Sequence, residues 1–218
     1  MAVADKGAMR SAMRRTLRAL SEEEVHAASR RACDRVLQLD AVRRSAAVSV
    51  YLSMPSGECQ TSALILQLFE AGKSIFVPRV EGRERGDMRM LRVHSAAHLD
   101  SFPRSNWGIP EPSAAEADKL EDGLAQASID TVIVPAVAFD SSCHRLGHGK
   151  GYYDTFLEKL CHARKARGLP PPVLIGLGLN EQLVERVPVG EHDFPLDAVC
   201  LPDTVLIAQP GKVNPLTP

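Results

Sequence analysis

Apolar and polar positions along this chain change period repeatedly, from a helical spacing to short continuous runs and back. Met9, Met13, Leu17 and Leu20 recur at spacings of three and four and predict a helix over 6–20. Lys6, Arg10, Arg14 and Arg18 form a second stripe on that helix, four residues apart at every step. Ser21 with Glu24 is a capping box, so a second helix starts there and runs to about Leu39, burying Val25, Ala28, Ala32, Val36 and Leu39. A strand follows over 47–54, with Val48, Val50 and Leu52 on one face. Thr61 is placed to cap a helix over 62–71, and Gly72 to end it. Residues 74–78 predict another strand, 81–87 a charged, glycine-containing turn or flexible loop, and Met88–Val93 a strand with one polar face. Residues 113–127 read as a short helix or a solvated loop. The valine-rich run 131–139 reads as one buried strand, 152–167 as a helix ended by Gly168 and prolines, and Val173–Leu177 as a strand. Strands alternating with helices of ten or more residues indicate α/β architecture with a mainly parallel sheet.

Bulk properties narrow the function classes. A chain of 218 residues with 44% apolar positions can build one large α/β unit; the expected division is a single domain over 1–209 and a loose tail over 210–218. The formal net charge of −1 provides no global pull toward nucleic acid or an anionic membrane, and no apolar run approaches spanning length. The five cysteines are scattered without a C-x-x-C pair, which reads as reduced thiols of an intracellular protein rather than a disulfide framework or a zinc site.

The candidate chemistry centres on 131–157. Gly147, Gly149 and Gly151 occupy every second position, with Arg145 before them and Lys150 among them, and a helix opens at Tyr152. Glycines admit backbone N–H groups to an anion, and a helix N-terminus adds partial positive charge. The spacing is neither the dinucleotide fingerprint nor a P-loop, which needs Ser or Thr after its lysine. An anion-binding loop of another kind and a plain glycine-rich turn both fit. Elsewhere, Glu58 sits beyond a strand's C-terminal end, where open α/β sheets carry ligands, and otherwise reads as a loop carboxylate. Asp154 reads as a helix-dipole partner, Asp193 as a turn residue, and Trp107 as core or as a flat platform for an aromatic ligand. The basic N-terminal stripe admits three readings: a phosphate grip, a solvated face, or a mitochondrial presequence.

The string from Arg145 to Asp154, Arg-Leu-Gly-His-Gly-Lys-Gly-Tyr-Tyr-Asp, resembles the signature of the 5-formyltetrahydrofolate cyclo-ligase family, also called methenyltetrahydrofolate synthetases. Leu52 to Met54 with Glu58 and Thr61, Pro78 with Arg79, Trp107 to Pro110, and Val187 to Asp193 occur in that family's order. The resemblance implies a three-layer α/β fold similar to phosphosugar isomerases and CoA transferases. It also implies conversion of 5-formyltetrahydrofolate and MgATP to 5,10-methenyltetrahydrofolate, ADP and phosphate. By the same resemblance Lys6, Arg10 and residues Arg145, Leu146, Gly147, His148, Gly149, Lys150, Gly151, Tyr152 and Tyr153 contact ATP. Leu52, Glu58 and Trp107 match or fit the folate site, which His148, Gly149, Lys150, Gly151 and Tyr152 also face. Asp154 and Asp193 match magnesium-associated acids. Lys150, Arg145 and Tyr152 are the expected catalytic groups. His148 departs from relatives that carry arginine there, and histidine is a weaker, pH-dependent cation.

The implied chemistry needs no protein nucleophile. A formamide is a poor electrophile; phosphorylating its oxygen creates a leaving group that the neighbouring N10 amine can displace. Cations and magnesium on the transferring phosphoryl group suit such a step. If Lys6 and Arg10 touch ATP, the basic helix belongs to the mature protein, which favours the cytoplasm with a mitochondrial pool as the alternative; separately, a monomer is expected. A non-catalytic folate or nucleotide binder and a phosphosugar or CoA-ester enzyme are the competing functions.

Overall fold

A computed structural model describes residues 5–105, 108–190, 193–208 and 213. In chain order its helices and strands are α1 (Lys6–Arg18), α2 (Glu22–Leu37), α3 (Asp40–Arg44), β1 (Ala47–Val50), α4 (Ser62–Glu70), β2 (Ser74–Val80), β3 (Met88–Val93), α5 (Ala96–Asp100), α6 (Ala114–Ala117), α7 (Gly123–Gln126), β4 (Thr131–Val134), β5 (Ala138–Phe139), β6 (Arg145–Leu146), α8 (Tyr152–Ala166), β7 (Val173–Leu177), β8 (Ala198–Cys200) and β9 (Val205–Ile207).

The main sheet runs β3-β2-β1-β4-β7-β8-β9. Its five central strands are parallel, and β3 and β9 close the two edges as antiparallel strands. The central strands are apolar on both faces because both are covered. Val48, Val50, Ile133 and Ile175 pack with Val36, Leu64 and Leu68 from α2 and α4. Val132, Val134, Leu174 and Val199 pack on the other side with Phe156, Leu157 and Leu160 from α8. That alternation makes three layers, as the family resemblance implies. Val213, within the expected tail, is buried against the first of these faces.

Local signals hold where they are self-contained. Ser21 and Glu24 make both bonds of the capping box. Gly72 takes a left-handed φ of +73° just after α4. Other boundaries move for tertiary reasons. The run 131–139 is not one strand: Pro135 lacks an N–H for the ladder, so β4 stops at Val134 and β5 forms a separate hairpin with β6. The strand expected over 47–54 ends at Val50, and the second helix ends at Leu37 with α3 beginning separately. Thr61 occupies the N-cap position of α4 but gives it no side-chain bond; its hydroxyl donates to the Tyr51 carbonyl at 2.8 Å. Residues 113–127 hold two short helices, α6 and α7.

Candidate active site

Topology decides where the candidate residues meet. From β1 the chain moves outward through α4 to β2 and β3, then returns to β4 on the opposite side of β1. The carboxyl ends of β1 and β4 therefore flank a switch point, the usual ligand crevice of an open α/β sheet. The segment holding Glu58 follows β1, the β2–β3 connection follows β2, and the glycine-rich loop follows β4 through the β5–β6 hairpin. All three emerge at the same sheet edge. α1 closes over this edge by burying Met13 with Val137, Leu146 and Val187, and Leu17 in the main core. Burying such side chains contributes roughly 1.5–3 kcal/mol each, enough to hold a short helix that makes no part of the sheet.

α1 meets the glycine loop directly. The Arg10 Nε donates to the Gly147 carbonyl at 2.8 Å. Gly149 has φ +101°, and a Cβ there would lie 3.2 Å from the Arg10 guanidinium carbon. Gly151, the N-cap of α8, has φ +72° and offers no side-chain cap. Glycine is needed at both positions to keep the backbone in the left-handed region. His148 keeps an exposed edge yet is closely surrounded. Desolvation, then the charges of Arg14, Arg10 and Arg145, lower its pKa, so it is neutral at pH 7. Lys150 is exposed and makes no hydrogen bond or ion pair with any other described residue. Leu146 turns its side chain into the core beneath the loop, and its carbonyl accepts from Val137. It anchors the loop and presents no side chain to a ligand.

Below the loop runs a relay of opposite charges. Arg145, whose side chain is only 4% exposed, donates to Asp154 Oδ1 at 2.5 Å. The same oxygen accepts from the Phe194 amide at 3.3 Å, which brings Phe194 against α8. Asp193 Oδ2 accepts from Lys6 Nζ at 2.5 Å and from the Gly190 amide at 2.6 Å. Burial pushes the Asp193 carboxyl up, but the Lys6 and Gly190 hydrogen bonds and the charges of Lys6 and Arg145 outweigh it and hold its pKa below the usual range. Asp154 Oδ2 and Asp193 Oδ1 make no hydrogen bond among the described residues. Two free carboxylate oxygens beside a cation-lined anion loop fit a hard divalent cation that completes its shell with phosphate and water.

Tyr153 joins this relay to Glu58. Its ring lies under the Arg145 guanidinium, 5.9 Å from centre to centre. Its buried hydroxyl and the buried Nε of Arg145 have no hydrogen-bond partner among the described residues. Desolvation, then the charge of Glu58, push the Tyr153 phenol pKa well up. Glu58 is itself buried and accepts from the Met54 amide at 3.0 Å; desolvation raises its pKa to about 7. Leu52 is buried in the same core cluster as Cys59 and Tyr51. Trp107 lies outside the described residues. Its neighbour Gly108 abuts Pro55, where an added Cβ would lie 2.9 Å from the proline Cγ, so the 108–110 segment borders the Glu58 loop.

The structure thus brings together Lys6, Arg10, Arg145, the three glycines, Tyr153, Asp154 and Asp193, with Glu58 behind Tyr153. Tyr152 points another way: its hydroxyl donates to the Gly82 carbonyl at 3.0 Å. Two neighbours of the loop went unassigned from sequence. Arg14 had a signal, its place one turn beyond Arg10 in the basic stripe. Arg85 had none, because a charged turn far along the chain carries no mark of what it folds against.

Comparison with known proteins assigns the chain to a family and a fold. Residues 2–202 match the model of the 5-formyltetrahydrofolate cyclo-ligase family. The mouse 5-formyltetrahydrofolate cyclo-ligase is 32% identical over 199 residues, spanning 91% of this chain and 94% of that protein. The Escherichia coli K12 protein of the same name is 33% identical over 193 residues, 88% of this chain and 98% of that protein. The NMR structure of Aquifex aeolicus 5,10-methenyltetrahydrofolate synthetase superposes with a TM-score of 0.74 at 28% identity, covering 94% of each chain.

Proposed function

We propose that this chain, which belongs to the 5-formyltetrahydrofolate cyclo-ligase family, is an enzyme that closes 5-formyltetrahydrofolate to 5,10-methenyltetrahydrofolate at the expense of ATP. The observation that carries the ATP dependence is the convergence of Lys6, Arg10 and Arg145 with two acids at the glycine loop. Cations with paired acids beside backbone amides suit a triphosphate and its metal better than they suit a neutral ligand.

In this reading the triphosphate lies along Gly147 to Gly151, and Arg145 and Lys150 stabilise charge on the γ-phosphoryl group. The folate sits behind Tyr153, with the Glu58 carboxylate accepting from pterin N–H groups and Trp107 beside the ring. The formyl oxygen attacks the γ-phosphorus and ADP leaves. N10 then adds to the activated carbon, loses its proton, and the formyl oxygen departs with phosphate. Asp154 and Asp193 would hold magnesium through their free oxygens; when bound, it neutralises phosphate charge. Arg145 and Lys6 orient those acids beforehand. Among the described residues no helix is long and apolar enough to cross a membrane.

The test mixes protein, MgATP and 5-formyltetrahydrofolate and follows the near-ultraviolet band of the methenyl product. Product formed with one ADP per turnover supports the reading. Product formed without ATP removes its nucleotide half, and folate binding without product leaves a binding protein.

A further inference from the structure

The glycine loop is clasped from two sides. Arg10 of α1 covers Gly149, whereas Arg85 of the β2–β3 connection covers Gly151. A Cβ on Gly151 would lie 3.2 Å from Arg85 Cδ and 3.3 Å from its Nε, so the arginine stem runs along the open N-terminus of α8. The connection is pinned there. The Tyr152 hydroxyl holds the Gly82 carbonyl, and Asp87 closes the turn by accepting from the Glu84 amide at 2.8 Å, while the Glu81 amide bonds the Asp87 carbonyl at 2.8 Å. The Arg85 guanidinium makes no ion pair and no hydrogen bond among the described residues, unlike Arg79, Arg89 and Arg92 on the adjoining strands, which are all paired with acids. An exposed, unpaired guanidinium on a pinned turn stands beside the first turn of α8. Arg145, whose buried Nε has no partner among the described residues, lies against Gly147 of the same loop.

We propose that Arg85 is a further phosphate-contacting residue of the nucleotide site, facing Arg10 across the glycine loop. This rests on the ATP-dependent reading above. It gives the loop a permanent cation that His148, held neutral among Arg10, Arg14 and Arg145, does not supply. A guanidinium beside α8's first amides can bond two phosphate oxygens at once, in a geometry a lysine cannot reproduce.

The experiment compares wild type with Arg85→Ala, Arg85→Lys and Arg83→Ala, the last removing the other exposed arginine of the same turn. Steady-state KM is measured for MgATP and for 5-formyltetrahydrofolate, and nucleotide binding is measured directly with ATP by calorimetry at two salt concentrations. Arg85→Ala is expected to raise KM for MgATP and the Kd for ATP five- to twenty-fold, with KM for the folate within two-fold. Arg85→Lys recovers part of the loss, Arg83→Ala changes neither constant by more than two-fold, and the salt dependence of ATP binding becomes shallower only in the Arg85 variants. Equal losses in Arg83→Ala and Arg85→Ala, or an unchanged KM for MgATP in Arg85→Ala, overturn the assignment while leaving ATP-dependent turnover intact. A wild-type protein that neither binds nor consumes ATP overturns both together.

Discussion

Arg145 and Asp154 lie nine residues apart in sequence and 2.5 Å apart in space, joining the last strand before the glycine loop to the first turn of α8. The guanidinium is almost wholly buried, and the carboxylate is about one quarter exposed. The pair therefore spans the loop like a clasp, and it fixes the angle at which Gly147 to Gly151 are presented.

Removing one partner strands the other. Asp154→Ala leaves a buried guanidinium uncompensated, expected to cost about 2 kcal/mol once the carboxylate's partial exposure is allowed for. That corresponds to a Tm lower by roughly 4–8 °C in a chain of this size. The double variant Arg145→Met with Asp154→Ala should recover most of that loss, because an apolar pair of similar volume avoids the buried charge. Neither variant should form the methenyl product. Thermal unfolding and the product assay check both halves, and a double variant no more stable than the single one would show that the ion pair does not set the stability.

Glu58 makes stability and binding depend on pH in opposite directions. Its folded pKa of about 7 lies above its ordinary value of 4.5. Between those values the folded state holds a proton that the unfolded state has lost, so stability falls as pH rises through this window. Glu58→Gln should remove that penalty, which is on the order of 3 kcal/mol at pH 8. Its melting temperature should exceed wild type at pH 8 and match it at pH 4. If the carboxylate accepts from pterin N–H groups, wild-type folate affinity should rise from pH 6 through 7 and level off near 8, while the variant binds more weakly and without that slope. Titrations across this range decide it; a flat wild-type profile removes Glu58 from the binding step.

Desolvation, followed by the charges of Arg14, Arg10 and Arg145, lowers the His148 pKa and keeps the ring uncharged at neutral pH. His148→Arg would add a fourth guanidinium. The unliganded protein should melt a few degrees lower because like charges then crowd one loop. ATP should offset this, with a KM for MgATP two- to five-fold below wild type at pH 8. An unchanged KM would place the ring outside the reach of the phosphates.

Gly149→Ala tests the loop's backbone. Its φ of +101° strains any side chain, and Arg10 crowds the added methyl. The strain is expected to cost about 1–3 kcal/mol, and the shift of Arg10 from the Gly147 carbonyl should raise KM for MgATP at least ten-fold. KM for the folate should stay within two-fold. Equal changes in both constants would mean that the whole crevice had moved rather than its phosphate side.

Some of this protein is written in stretches short enough to read locally. The Ser21 and Glu24 cap, the helix from Tyr152, the buried valines of β4 and the glycine spacing each depend on neighbours a few residues away, and they recur in the structure as read. Pro135 was equally readable as a break, but the continuous apolar run on either side masked it. What folding alone decided are the pairings over distance. Lys6 meets Asp193 across 187 positions, Arg10 meets Gly147 across 137, and Tyr152 meets Gly82 across 70. Each contact depends on where α1, the hairpins and the sheet edge come to rest, which is set by burying both faces of one sheet. Hydrophobic periodicity records which face of an element is buried, not which element covers it, and so the residue types of the site were visible before the constellation they form.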